Sequence, residues 1–356
     1  MTPARFHSLT GRYHQLRIAL VGDFCLDRYL EIDPARSEIS LETGLPVHNV
    51  VNVRSQPGAA GTILNNLAAL GVGAIHPVGF AGEDGEGYEL ARSLHALPGV
   101  CAGHFLQTPA RRTFTYTKPL VIRAGEPPAE LSRLDLKNWS PTPAAVRQNL
   151  VHALARLARD VDAIIIMDQV DVAETGVVTP ELLAEVTRIA AERPQLLILA
   201  DCRRGLAGYP AVDYKMNRAE LARLAGTDPA APLRAVRRTA GELAQRLGRP
   251  CFVTLAEDGL LGATPDGAVR HAPALPLRGP IDIVGAGDAI TANLTAALAA
   301  GATVAEALAI ANAAASLVIH QLGTTGTASV AAIGELLAAA DTGSDPAART
   351  ALPTHG

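Results

Sequence analysis

The sequence predicts an α/β fold in which helices cover both faces of an open, mostly parallel β-sheet, with a small β lid at one edge. Apolar segments of strand length alternate with amphipathic segments of helix length along most of the chain. Such alternation is typical of crossover connections between parallel strands. Two extended inserts, at about 28–56 and 104–125, interrupt the alternation and provide the strands of the lid.

The N-terminal part of the chain contains the first strand–helix units. Glycines or a Pro-Gly pair follow each helical segment there and mark its end. The predicted elements are, in order, a strand at 17–23, an extended stretch at 30–54, a helix at 61–70, a strand at 74–79 and a helix at 85–97.

A second alternating stretch lies at 113–123, where Phe114 and Tyr116 share one face. Because Pro119 cannot donate a backbone hydrogen bond, we expect this strand to lie at the edge of the lid.

The C-terminal part repeats the alternation, and two of its apolar strands end at an aspartate, Asp168 and Asp201. We expect one domain over 17–338 and a frayed tail over 339–356, where small and polar residues dominate. The predicted elements are helices at 146–158, 180–191, 220–224 and 233–247, strands at 163–167, 196–200 and 251–255, and the final Ala-rich helices.

The composition excludes several classes of protein. A net charge of −4, with no run of Lys and Arg, argues against a nucleic-acid partner. No apolar run reaches spanning length and no secretory signal begins the chain, so we expect a cytoplasmic protein without a membrane partner. The chain has three lysines and no Gly-Lys pair, which excludes a Walker-type phosphate loop. The four scattered cysteines indicate reduced thiols.

The strongest functional signal is the stretch from Asp282 to Asp288, which runs into an Ala-rich helix. Small residues at Gly285, Ala286 and Gly287 allow backbone N–H groups to face an anion at the positive end of the helix dipole. An aspartate placed there is costly unless it takes a proton, and phosphoryl transfer to a hydroxyl group needs both features. The alternative is that Asp288 only caps the helix.

Three further groups of polar residues follow predicted strands, where ligands of open α/β sheets bind. Asp23 and Asp27 could accept hydrogen bonds from sugar hydroxyls, or Asp23 could form a turn. Asn217 and Glu220 share one face of a first helical turn, where they also match a capping box. The loop from Thr254 to Gly259 suits an adenine or its phosphates, although hairpins use the same composition.

In this order, the motifs resemble those of the ribokinase or PfkB family of carbohydrate kinases, over about 17–330. The resemblance implies a ribokinase-like fold, and a kinase that uses ATP and Mg²⁺. Asp288 would be the general base, and the amides of Gly285, Ala286 and Gly287 would form the anion hole. The similarity ends before a nucleotidyltransferase that bifunctional members add, so we expect a kinase activity alone.

The resemblance also assigns the remaining ligand contacts. Asn217 and Glu220 would organise Mg²⁺ and phosphate, with Glu220 acting mostly through water. The nucleotide would contact Thr254, Gly259 and Asn312, and a monovalent cation such as K⁺ would bind at Asp282, the carbonyl of Val284 and Gly323. The acceptor would contact Asp27, Asp23, Gly58, Ala59 and Thr62.

Within the family, the similarity is greatest to the heptose-phosphate kinases of lipopolysaccharide precursor synthesis. The residues that carry it lie at 21–29, 40–47 and 312–324. The acceptor side departs from the family pattern. The family's Gly-Gly-x-x-Asn reads Gly58-Ala59-Ala60-Gly61-Thr62, and Gln169-Val170-Asp171 replaces a lysine-bearing turn.

These departures leave two alternatives to a sugar or sugar-phosphate kinase. One is a regulator that binds nucleotide or sugar without catalysis, motivated by Ala59 and Thr62; the other is a nucleoside kinase of the same fold. We also expect a homodimer formed through the lid, because a small exposed sheet invites a partner.

Overall fold

The structure, a computed structural model, describes residues 1–341 of the 356-residue chain. It contains a nine-stranded sheet. Helices pack on both of its faces, and a second, smaller sheet forms the lid. The predicted α/β architecture is confirmed.

The strands have the following bounds, and several are only two residues long. They are β1 (Arg17–Gly22), β2 (Phe24–Ile32), β3 (Glu38–Ile39), β4 (Pro46–Val47), β5 (Val50–Ala59), β6 (Ala74–Gly82), β7 (Phe105–Thr108), β8 (Phe114–Val121), β9 (Ala129–Glu130), β10 (Leu134–Leu136), β11 (Ala163–Asp168), β12 (Leu197–Cys202), β13 (Asp213–Asn217), β14 (Cys251–Thr254), β15 (Leu260–Ala263) and β16 (Val269–Ala272).

The helices alternate with these strands through most of the chain. They are α1 (Pro3–Thr10), α2 (Ala60–Ala69), α3 (Gly85–His95), α4 (Ala144–Leu157), α5 (Pro180–Glu192), α6 (Arg218–Ala225), α7 (Leu233–Leu247), α8 (Ala286–Ala299), α9 (Val304–Val318) and α10 (Val330–Asp341).

Strand β1 shows why these apolar segments form a sheet that is buried on both faces. Ile18 and Leu20 pack into a core with α2, α8 and α9, while Ala19 and Val21 face a second core with α4, α5 and α7. The order of the large sheet is β16-β15-β14-β13-β12-β11-β1-β6-β7. The strands from β14 to β7 in this order are parallel, and β15 and β16 add an antiparallel edge. Parallel strands bring their carboxyl ends to one edge of the sheet, and the polar residues that follow them meet there.

The lid is the five-stranded sheet of β2, β5, β8, β9 and β10. Strand β2 pairs with β5 on one side and with β8 on the other. Two expectations need correction here. The second insert divides between the sheets, because β7 pairs with β6 and belongs to the large sheet. Strand β2 begins at Phe24, directly after β1, so the lid also starts earlier than 28.

The edge position predicted for the strand around Pro119 is also wrong, because β8 pairs on both sides. Its antiparallel neighbour changes at this residue, from β10, which pairs as far as Thr117, to β9, which begins opposite Leu120. No N–H is needed at the change of partner, and the carbonyl of Pro119 accepts from the N–H of Leu131 at 2.9 Å. Proline is therefore tolerated inside this sheet.

The two ends of the described chain differ from expectation. Helix α1 was not predicted; Thr2 caps it, and Arg5 forms a salt bridge to Glu306 at 2.8 Å. Helix α10 continues to Asp341, three residues into the predicted tail, and the rest of that tail lies outside the described residues. Among the helices of residues 1–341, none has both the length and the apolar run needed to cross a bilayer.

Candidate active site

The candidate site lies at the carboxyl edge of the large sheet, where the lid meets the start of α8. A left-handed Gly285, with φ of +83°, turns the chain into the helix. The N–H of Ala286 donates to the carbonyl of Ile283 at 3.2 Å, so it is not available to an anion as predicted. Within the described chain, the N–H groups of Gly285, Gly287 and Asp288 have no protein acceptor. This turn is half-buried, and these unbonded donors at a helix N-terminus are a candidate anion site.

Asp288 lies in the first turn of α8, with part of its surface open to solvent. Burial raises the pKa of its carboxyl group to about 7, the nearby Lys215 opposes that rise, and the charges of Asp201 and Asp27 add to it. A base with a pKa near 7 is suited to accept a proton from a hydroxyl group at neutral pH. The charge of Asp27 also shows that the lid brings a second carboxylate near Asp288.

Lys215 lies beneath the same turn, although no role was predicted for it. Its Nζ donates to Oδ2 of Asp201 at 2.7 Å and lies 3.1 Å from the position that a Cβ on Gly287 would take. Thr291 of α8 donates to the same Asp201 oxygen at 3.2 Å. The sheet therefore places one buried ammonium group directly behind the anion site.

Asn217 and Glu220 form the capping box that the sequence offered as one interpretation. The N–H of Glu220 donates to Oδ1 of Asn217 at 2.9 Å, and the N–H of Asn217 donates to Oε2 of Glu220 at 2.7 Å. Glu220 is half-buried, and burial raises the pKa of its carboxyl group, as does the charge of Asp201. Among residues 1–341, the second carboxylate oxygen of Glu220 accepts no hydrogen bond from the protein.

The inner face of the lid carries Asp27, which is buried at 7% exposure. Burial raises the pKa of Asp27, and the charges of Lys118 and Arg133 lower it. Two tyrosines flank it in the sheet: Lys118 lies 5.1 Å from the ring centre of Tyr29, and Arg133 lies 5.0 Å from that of Tyr116. This face therefore joins one buried acid to several cations.

Gly58 lies on the neighbouring strand β5, opposite Cys25, and packs against the side chain of this acid. A Cβ on Gly58 would lie 2.6 Å from Oδ2 of Asp27, so only glycine fits there. Thr62 lies inside α2 with 1% exposure, and its contact with the acceptor stays a prediction. Ala59 has a φ of +53°, a conformation that favours glycine.

The structure gives Asp23 a different role from sugar binding. Its carboxylate accepts hydrogen bonds from the N–H groups of Gln169 at 2.8 Å, Val170 at 3.2 Å and Val177 at 2.7 Å. Burial and the neighbouring Asp168 raise its pKa to about 7. Asp23 therefore anchors the 169–177 loop, and its oxygens are not free for a sugar.

The residues assigned to the nucleotide occupy the β14–β15 hairpin and α9. Thr254 pairs with Leu260, and a Cβ on Gly259, whose φ is +89°, would collide with the carbonyl of Ala272. The side-chain amide of Asn312 donates to the carbonyl of Pro273 at 2.7 Å. This bond holds the start of the 273–285 segment against α9, and the contact of Asn312 with an adenine stays a prediction.

The residues assigned to a monovalent cation precede the turn of α8 or follow α9. Oδ1 of Asp282 accepts from the N–H of Val284 at 3.0 Å, and Gly323 is left-handed with a φ of +71°. Within residues 1–341, no group of three or more His, Cys, Asp or Glu side chains forms a metal cage.

The three lysines of the chain were not predicted as site residues. The chain has three lysines, and all of them, Lys118, Lys137 and Lys215, lie at this site or beside it. Lys137 lies 5.9 Å from the ring centre of Tyr116 on the lid. In a chain whose basic residues are almost all arginine, the positions of the lysines were a usable signal.

Known carbohydrate kinases are similar to this chain in sequence and in structure. Residues 180–331 match the pfkB family of carbohydrate kinases. The bifunctional protein HldE of Azorhizobium caulinodans is 33% identical over 309 residues, which cover 86% of this chain and 61% of that protein. The HldE protein of Gluconobacter oxydans is 30% identical, over 86% of this chain and 62% of its own length. The chain contains a pfkB family carbohydrate kinase domain, matched over residues 180–331.

The chain spans about six-tenths of the length of these HldE relatives, 61% and 62%. Solved structures support the ribokinase-like fold. Arabidopsis thaliana ribokinase complexed with ribose and ATP matches with a TM-score of 0.63 and 17% identity, over 90% of this chain and 98% of that one. Escherichia coli phosphofructokinase-2 in complex with substrates and products matches with a TM-score of 0.66 and 19% identity, over 91% and 98%.

Ala59 stands where the family pattern has a glycine, and the backbone strain at this residue can be tested directly. Its positive φ is paired with a ψ of −119°, a region that side chains avoid. We expect Ala59→Gly to raise the free energy of unfolding by about 1 kcal/mol, because relief of strain outweighs the added freedom of the unfolded chain. Chemical denaturation measures it.

The adjacent Ala60 provides the control, because it begins α2 with ordinary helical geometry. Ala60→Gly should lower the free energy of unfolding by about 0.5–1 kcal/mol. Equal destabilisation by both substitutions would show that Ala59 is not strained.

Proposed function

We propose that this chain is an ATP-dependent phosphotransferase that phosphorylates a hydroxyl group of a sugar or sugar phosphate, with Asp288 as the general base. The observation that supports it most is the position of Asp288. The carboxylate lies beside the free N–H groups of a helix N-terminus, with the ammonium of Lys215 behind them and Asp27 of the lid close enough for its charge to raise the pKa of Asp288. Positive donors for a phosphate and two acids for a hydroxylated acceptor are the parts that this reaction needs.

The chemistry follows from that arrangement. The carboxylate of Asp288 takes the proton of the acceptor hydroxyl, and the hydroxyl oxygen forms a bond to the terminal phosphorus of ATP. The bond from that phosphorus to the bridging oxygen breaks, and its electron pair leaves with ADP. The N–H groups of Gly287 and Asp288 and the charge of Lys215 stabilise the negative charge on the phosphoryl oxygens.

The residues on the nucleotide side fit a Mg²⁺ ion that is carried mainly by phosphates. Mg²⁺ in proteins keeps several waters and is bound through one or two carboxylates. The half-buried Glu220 would supply one carboxylate here. The bound ion would neutralise phosphate charge, and Glu220 would orient it through water. For the Asp282 turn and Gly323 we propose a monovalent cation; a structure of Escherichia coli phosphofructokinase-2 in complex with potassium supports that assignment.

The cations of the lid favour an acceptor that carries a phosphate. Lys118 has no carboxylate within salt-bridge distance among residues 1–341, whereas Arg133 and Lys137 share Asp135. An unpaired ammonium facing a ligand site is available for an anion. The HldE relatives and the phosphofructokinase-2 complex with fructose-6-phosphate agree with this choice, and we propose a heptose-phosphate-like acceptor.

The direct test measures ADP release from ATP and Mg²⁺ with a panel of free sugars, sugar phosphates and nucleosides. We expect turnover with a sugar phosphate and little with its unphosphorylated counterpart. Turnover with nucleosides alone would favour a nucleoside kinase, and ligand binding without turnover across the panel would favour a non-catalytic regulator.

The outer face of the lid supports a homodimer. Val51, Val53, Leu134 and Leu136 point away from Asp27 and are exposed. Val51 and Val53 lie at one edge of the lid, and Leu134 and Leu136 lie at the other. Exposed apolar residues on a sheet favour an interaction surface, and a second copy of the chain presents the same face for a two-fold contact.

Asp288, the proposed base, can be tested by substitution. We expect Asp288→Asn to lower kcat by about 10²–10⁴, because a neutral amide cannot take the hydroxyl proton. Nucleotide binding, measured by calorimetry, should change little. Asp266→Asn, in an exposed hairpin turn, is the matched control and should retain full turnover. Turnover near the wild-type value in Asp288→Asn would remove the proposed base.

The pH dependence follows from the raised pKa of Asp288. Because the pKa is about 7, the base is protonated and inactive below that value and ionised above it. We expect kcat/KM for the acceptor to rise through pH 7, level off above it, and fall about tenfold for each lower unit. A profile that is flat between pH 5.5 and 8 would contradict this assignment.

Lys118 tests the phosphorylated acceptor. We expect Lys118→Met to raise the KM for a sugar phosphate on the order of tenfold, since a charge-assisted hydrogen bond is lost, and to leave the KM for ATP unchanged. Arg123→Met, at an exposed end of the lid, serves as the control. An unchanged KM for the sugar phosphate in Lys118→Met would show that Lys118 does not bind the acceptor's phosphate.

The dimer can be tested on the outer lid face. A charge at Val53, which is 47% exposed, would have to be buried in the contact, so Val53→Asp should yield monomers in analytical ultracentrifugation. Gln245→Asp, exposed on α7, should leave the assembly unchanged. A wild-type chain that sediments as a monomer at micromolar concentration would exclude this interface.

A further inference from the structure

The side chain of Gln56 links the lid to a segment that follows α9, 268 residues away. Its Nε2 donates to Oγ1 of Thr325 at 2.5 Å, and its Oε1 accepts from Oγ1 of Thr324 at 3.0 Å. Both ends of one carboxamide are therefore bonded to consecutive hydroxyl groups. A two-point contact fixes the orientation of both partners better than a single hydrogen bond does.

On the lid side, Gln56 belongs to the acceptor face. It is the register partner of Asp27 in the pairing of β2 with β5. Its Nε2 also lies 3.4 Å from the hydroxyl of Tyr29, and Gly58, two residues further on, packs against the carboxylate of Asp27. A movement of Asp27 or of β2 would therefore displace Gln56.

On the other side, Thr325 packs against the turn that precedes α8. A Cβ on Gly285 would lie 3.3 Å from the Cβ of Thr325, which is itself buried. The segment around Thr325 is held firmly: the side chain of Gln321 bonds to both main-chain groups of Thr327, and Asn66 donates to the carbonyl of Gly326. A displacement of Thr325 is thus passed on to Gly285 rather than absorbed by a loose loop.

We propose that Gln56 is a positioning residue that couples the acceptor face of the lid to the Gly285–Asp288 turn. It touches no reacting atom; it aligns Asp27 and the acceptor hydroxyl with the donors of the anion site. Phosphoryl transfer depends strongly on such alignment, because misplacement of reacting groups by about 1 Å costs about a hundredfold in rate. This role rests on the proposed function, but the bridge itself can be tested without any turnover.

The first experiment compares amide hydrogen exchange in the ligand-free wild type, Gln56→Ala and Asn52→Ala. Asn52 is a matched control: it lies on the same face of β5, and its side-chain amide bonds only within the lid, to Glu31 at 3.0 Å. We expect Gln56→Ala to speed exchange several-fold in peptides covering 282–290 and 319–328, and Asn52→Ala to leave both unchanged. Unchanged exchange over 282–290 in Gln56→Ala would overturn the coupling.

The second experiment distinguishes positioning from a merely structural role. With ATP and fructose 6-phosphate as the acceptor probe, Gln56→Ala should lower kcat on the order of tenfold, with ATP hydrolysis in the absence of acceptor and the melting temperature close to those of Asn52→Ala. Thr325→Val, which removes the hydroxyl but keeps the shape, should have the same effect, and Thr325→Ser should restore kcat.

The double variant completes the test. If Gln56 acts through Thr325, Gln56→Ala combined with Thr325→Val should be no slower than either single variant, whereas multiplied losses would refute the bridge. A wild type that releases no ADP with any acceptor in the panel would refute the proposed function instead, and the exchange comparison would still decide whether Gln56 couples the two elements.

Discussion

The site depends on the burial of negative charge beside the N-terminus of α8. Asp201, Glu220 and Asp288 lie near one buried ammonium, that of Lys215. Carboxylates that share a confined space raise one another's pKa, and a cation among them opposes that rise. Lys215 bonds directly to Asp201, and its charge opposes the rise in the pKa of Asp288 that burial and the charges of Asp201 and Asp27 cause. The same ammonium therefore acts on the anion-facing turn and on the carboxylate that we propose as the base.

The surroundings of the site are rigid for related reasons. Asp23 gathers three N–H groups of the 169–177 loop, and Asp168 accepts from Arg204 at 2.6 Å and Tyr209 at 2.7 Å. Buried carboxylates are costly unless their oxygens are satisfied, so each such acid fixes the groups that satisfy it. The acids of the carboxyl edge therefore divide into those whose oxygens hold loops and those, such as Asp288, that we propose to act in the reaction.

Much of this protein could be predicted from local patterns. The helix over 233–247 has the predicted bounds, and the strand ending at Asp168 is apolar throughout because both sheet faces are covered. The Asn217 capping box and the turn at Gly285 are also local, since each depends on residues three or four apart. The wrong expectations involve distant partners. Pro119 was placed at an edge because its sequence neighbours do not reveal that two different strands pair with β8 on the same side.

The sequence by itself determined the alternation of strands and helices, the glycine turn before α8 and the similarity to a family of carbohydrate kinases, since these follow from short-range periodicity, helix-end chemistry and motif spacing. The tertiary structure alone decided which acids are held by backbone donors. Asp23 and Asp27 are four residues apart, yet one anchors a loop 146 residues away and the other lies on the lid, where its charge raises the pKa of Asp288. The partners of Lys215, Gln56 and Asn312 were likewise unpredictable, because a hydrogen bond between distant segments depends on how the whole chain packs and leaves no periodic trace in the sequence.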